Sequence, residues 1–215
     1  MSFKYTPNTL KKLEELFEEA RYIIRYEKGN FASGYCLLED GDYFAGYNKT
    51  GANMGGIVYA QVAKRIALSM EILYSQKGSV SSQVNTPRLI NYNGAAVYID
   101  DYGISVDYAE TPIMINYFDK RKSHFGVGLS YSELVNSSEH ISTTPSMTVD
   151  FTKYPFKKYD VDFLIGTDLH LWQGLFLNLR FQYSVLPIRT NIPEYYARAQ
   201  QYNNLWVVRL MYLLK

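Results

Sequence analysis

The chain has 215 residues and a formal net charge of +1, with 22 basic side chains against 21 acidic ones. That length carries a full core as one domain or as a large domain with an appendage, and the charge balance gives no electrostatic case for a nucleic-acid partner. Cys36 is the single cysteine, which excludes an intramolecular disulfide, and His124, His140 and His170 are too scattered to form a metal motif.

No run of about 18 apolar residues is present, so no transmembrane helix is expected. In the chain as given, the first residues, Met-Ser-Phe-Lys-Tyr, lead into a charged segment without the apolar core of a secretory signal peptide. Pro7 to Ile24 reads as a helix capped by Asn8 or Thr9, with an apolar stripe of Leu10, Leu13, Leu16, Phe17 and Ala20. Tyr22 to Tyr26 and Tyr35 to Leu38 read as a hairpin turning at Gly29 and Asn30. These pieces make residues 1–40 a helix–hairpin segment, distinct from residues 41–215.

Beyond Asp40 the period is two. Strands are predicted near 52–62, 66–77, 104–118, 123–134, 157–170, 174–186 and 204–214. In the second, Ile66, Leu68, Met70, Ile72 and Tyr74 alternate with Ala67, Ser69, Glu71, Leu73 and Ser75. Phe125, Val127, Leu129 and Tyr131 alternate with His124, Gly126, Gly128, Ser130 and Ser132, and Leu175 to Ser184 follows the same rule. Glycine and charge make a poor core for a soluble sandwich. They suit a narrow polar lumen, with the apolar parity facing lipid.

The connections agree. Ala63–Arg65, Phe118–Lys122 and Leu171–Gly174 are short, whereas Gly78–Gly103, Asn136–Phe156 and Pro187–Asn203 are long. In an up-and-down sheet this alternation gathers the short turns at one end and the long loops at the other, as in outer-membrane barrels.

Residues from about Gly46 onward resemble the Bacteroidota outer-membrane β-barrel proteins, which are porin-like with an OmpA-like barrel. The resemblance is carried by Glu71-Ile-Leu-Tyr-Ser-Gln-Lys-Gly78, Asp107-Tyr-Ala-Glu-Thr-Pro-Ile-Met-Ile-Asn-Tyr-Phe118 and Leu177-Asn-Leu-Arg-Phe-Gln-Tyr183. Residues 5–40 are similar to small uncharacterised Bacteroidota proteins, which implies no activity. The barrel resemblance implies an outer-membrane location, with the lipid bilayer and the barrel assembly machinery as partners. It is departed from in the missing signal peptide, in the missing first strand, and in a last residue that is Lys215 rather than aromatic.

The expected fold is therefore mainly β: an antiparallel up-and-down membrane β-barrel of about eight strands, preceded by the helix–hairpin segment. Seven strands are readable, and the eighth is expected near Gly34 to Glu39. The same parity points Glu71, Glu110, Arg180 and Arg209 inward at similar depth with Asp162 nearby, a charge network that plugs the lumen. The resulting function is a non-catalytic barrel with a structural or surface-recognition role through its long loops, without cofactor or metal. Tyr92, Tyr98, Tyr102, Tyr154, Tyr195, Tyr196 and Tyr202 lie on those loops, as an upper aromatic belt or as contact residues. Two alternatives stay open: a soluble lipocalin-like ligand-binding barrel, and a lipid-modifying outer-membrane enzyme needing Ser and a carboxylate beside His124 or His170.

Overall fold

A computed structural model of the chain describes residues 26–42, 49–82, 88–92, 95–146, 148, 150–190 and 197–213. The strands are β1 (Tyr26–Asp42), β2 (Thr50–Ala63), β3 (Ile66–Ser82), β4 (Arg88–Tyr92), β5 (Ala95–Phe118), β6 (His124–Thr144), β7 (Tyr159–Trp172), β8 (Leu175–Ser184), β9 (Arg189–Thr190) and β10 (Ala197–Leu213). Eight long strands pair antiparallel with their chain neighbours in the order β1-β2-β3-β5-β6-β7-β8-β10, and β10 pairs back onto β1 to close the ring. Two short strands are accessories: among the described residues β4 pairs with β5 alone and β9 with β10 alone.

The burial pattern alternates along each wall because successive side chains of a strand point to opposite faces. On β3, Ser69, Glu71 and Ser75 are buried, whereas Ile72 is 68% exposed. On β6, Phe125, Leu129 and Tyr131 face out while Ser130 and Ser132 are buried. The outer face is thus an apolar band of aliphatic and aromatic side chains, and the inner face collects the polar and charged ones. In water such a band would be a very large exposed apolar patch; against lipid it is the required surface.

The expectations for the N-terminal segment fare differently. The hairpin at Gly29 and Asn30 is replaced by one continuous strand: Gly29 pairs with Leu213 and Asn30 with Tyr212, so closing the ring takes precedence over a local turn. Gly34 to Glu39 lies within this strand, which runs across residue 40 and joins β2 to β10. The helix read at Pro7 to Ile24 lies outside the described residues.

The long loops are shorter than expected. β3 continues to Ser82, β5 begins at Ala95, β6 reaches Thr144 and β10 begins at Ala197. A membrane span needs only about 9–11 tilted residues. The 24-residue β5 and the 21-residue β6 therefore project well past the apolar band at the long-loop end. There no lipid enforces alternation, and a polar sequence forms strand as readily as loop. Register shifts at Ile99/Asp101 and Asp107/Tyr108 also break the parity, so the pattern read as irregular.

Candidate functional site

The lumen fills in tiers from the short-turn end upward. The floor is apolar: Ile57, Tyr59, Ala67, Phe176, Met211 and Leu213 pack together, with Phe118 partly buried against them. Just above it, His124 Nε2 lies 3.0 Å from the Tyr59 hydroxyl and 3.0 Å from Asp168 Oδ2, with its ring stacked on Phe118. The Asn178 side-chain amide donates to Asp168 at 2.7 Å, and its oxygen accepts from Arg209 Nε at 3.0 Å.

That chain of contacts leads to the first charge cluster. The Arg180 guanidinium grips both oxygens of Glu71, one of them at 3.3 Å, and Arg209 Nη1 donates to Glu71 Oε2 at 2.8 Å. Arg209 Nη1 also reaches Asn53 Oδ1 at 3.1 Å. The three charged residues stand on β3, β8 and β10, so the cluster crosses the interior. All three are at most 2% exposed. A fork of rigid guanidinium donors on one carboxylate is the strongest form of such a pair.

The second cluster sits nearer the long-loop end. Lys77 Nζ lies 2.8 Å from Asp162, 3.7 Å from Asp160 and 3.9 Å from Glu110. The Gln182 amide donates to Glu110 at 2.6 Å and to Asp162 at 2.9 Å, and the Ser130 hydroxyl donates to Glu110 at 3.0 Å. Asn203 and Ser184 donate to Asp160 at 2.7 and 2.8 Å. Higher still, Arg189 holds both oxygens of Glu139 at 2.5 and 2.8 Å, its Nε donates to Gln201, and its guanidinium lies 4.3 Å from the Phe156 ring centroid.

Of the residues predicted from parity, Glu71, Arg180 and Arg209 meet directly. Glu110 and Asp162 lie in the second cluster, joined through Gln182 and Lys77 instead of an arginine. Sequence reasoning missed Lys77 and Asp160. Lys77 shares the parity of Glu71 and was legible from it, but it lay where the strand was expected to end. Asp160 shares the parity of Asp162. Of the loop tyrosines, Tyr102 is 1% exposed and points inward, its hydroxyl donating to Glu139. Tyr98 faces outward, and Tyr154 is half-buried. The side chains of Tyr92, Tyr195 and Tyr196 lie outside the described residues.

The family model for the outer membrane protein beta-barrel domain matches residues 26–188. The chain belongs to that family. It is an outer-membrane protein, and its exposed band is in contact with lipid. Solved structures similar to it include Ail of Yersinia pestis (12% identity, 87% of this chain and 99% of that one, TM-score 0.39). They also include AlkL determined in lipid bilayers (14%, 88% and 89%, 0.40) and OprG from Pseudomonas aeruginosa (9%, 88% and 94%, 0.37). No curated protein matches the chain in sequence.

Proposed function

We propose that this protein is a non-catalytic outer-membrane barrel with a plugged lumen, whose role is structural or surface recognition at its long-loop end. The observation that carries the plug is the Glu71–Arg180–Arg209 cluster spanning the interior from β3 to β8 and β10. Glu110 and Asp162 thicken it through Lys77 and Gln182. Unpaired charge at that depth is costly, so these groups hold one another rather than water or a passing solute. The family's membrane surface, here Ile72, Ile115 and Leu129 on the outer parity, argues against the soluble lipocalin-like alternative. A lipid-modifying enzyme would need a serine as well as a carboxylate: His124 has the Asp168 carboxylate, but its ring otherwise meets Tyr59, and His170 Nε2 meets the Gln173 carbonyl rather than a serine hydroxyl. Insertion in the cell would need the barrel assembly machinery, and the projecting ends of β5 and β6 would stand outside the membrane.

The test is gel mobility with and without boiling after refolding into micelles, followed by conductance in a planar bilayer. The expected result is a heat-modifiable band and no steady current. A steady ohmic conductance would overturn the plug. A soluble monomer in plain buffer with no gel shift would overturn the membrane reading.

A further inference from the structure

Between β6 and the connection that follows it lies a cavity of about 290 Å3, outside the apolar band. Phe151, Thr152, Tyr154 and Phe156 of that connection line it together with β6, where Ser137 shares the strand face of Glu139 and Ser138 points to the opposite one. The back is rigid. Glu139 has both oxygens engaged by Arg189 and one by the Tyr102 hydroxyl, while Phe156 packs on the Arg189 guanidinium and against the cluster of Ile99, Tyr102 and Ile104.

What this cavity offers a ligand follows from that wiring. The Glu139 carboxylate is already neutralised. Among the described residues, no lysine or arginine side chain lines the space. What remains are the aromatic side chains and the hydroxyls of Ser137 and Thr152, a combination that suits a small ring with an apolar face and a hydroxylated edge. The volume lies at the bottom of the range for ligand pockets, roughly 300–1,000 Å3, so it admits one ring rather than a chain.

We propose that this cavity binds one uncharged saccharide ring, the aromatic side chains packing on its C–H face and the Ser137 and Thr152 hydroxyls bonding its hydroxyls. The proposal rests on the surface-recognition reading above and names its ligand class. The ring is either a free sugar or the terminal unit of a surface polysaccharide.

The test uses the full chain refolded in micelles, its heat-modifiable shift checked first, applied to an array of neutral and anionic glycans with free monosaccharides as competitors. The expected result is retention on neutral glycans that is insensitive to salt, as for an uncharged ligand. Phe151→Ala and Ser137→Trp should each weaken it by roughly tenfold or more, the first by removing an aromatic contact and the second by filling the space, with the gel shift unchanged. Ser137 is exposed, so its substitution stays informative if Phe151→Ala fails to fold. Competition by free monosaccharide identifies the ring itself as sufficient, and binding of polymer ends alone identifies the polysaccharide as the source; either supports the proposal. Binding to anionic glycans alone, binding unchanged in Ser137→Trp, capture of peptides alone, or no glycan binding by a barrel that shows the gel shift would overturn it. Loss of the gel shift in the unmodified chain would count instead against the barrel reading.

Discussion

The two charge clusters of the lumen have opposite balances. In the lower one, two guanidiniums share the single carboxylate of Glu71; in the upper one, three carboxylates surround the single ammonium of Lys77. An arginine cannot give up its proton inside a protein, whereas a carboxylate can take one up. The lower cluster therefore depends on one residue that nothing can replace. The upper one depends on Lys77, but neutral donors from Gln182, Ser130, Asn203 and Ser184 also hold its carboxylates.

Breaking the lower cluster should have the larger effect. Glu71→Gln removes the carboxylate that both buried guanidiniums contact and should cost about 4–5 kcal/mol, read as a drop in the urea midpoint of the micelle-bound barrel. A loss below about 1 kcal/mol would mean that Asn53 and Asn178 suffice to hold the arginines. Lys77→Met should cost about 3 kcal/mol at pH 8, the low end for breaking a buried pair. A loss for Lys77→Met equal to or larger than that for Glu71→Gln would erase the distinction between the two clusters.

Next to Lys77 the backbone itself is constrained. Gly78 has φ of +130°, a region closed to residues with a Cβ, and its side carries the approach of Lys49 Nζ to the Ile104 carbonyl at 2.9 Å. Gly78→Ala should cost about 1–3 kcal/mol by the same urea assay, with the gel shift retained. The smallest effect lies outside the membrane. The Thr152 hydroxyl, and then its backbone N–H, donate to the exposed Asp150 carboxylate and hold it below the usual carboxylate range. A lowered folded value means that these contacts persist above the ordinary range and are lost as pH falls through the lowered one. Hydrogen exchange at Thr152 should accelerate there, after correction for intrinsic rates, with no change in barrel stability.

The same contrast separates what the sequence discloses from what it hides. The parity of Ile66 to Ser75, of Phe125 to Ser132 and of Leu175 to Ser184 is legible because lipid on one side and polar side chains on the other press on every residue. Strand ends are less legible. Ser79, Tyr102 and Thr143 are buried on stretches whose outer face no lipid presses on, and bulges at Asp100 and Val135 reverse the parity, so these strands read as loops. Tyr102 was expected on a loop surface and is instead the buried partner of Glu139 for this reason.

By itself the sequence determined the faces: which side chains meet lipid, which enter the lumen, and that Glu71, Arg180 and Arg209 share one interior. These follow from a period of two, which is a local property of the backbone. Only the tertiary structure decided the partners. Arg180 and Arg209 find Glu71 across 109 and 138 residues of chain, and Glu110 and Asp162 gather around Lys77 instead of an arginine. Depth and proximity inside a closed ring are set by strand order, tilt and stagger acting together, and no spacing along the chain encodes them.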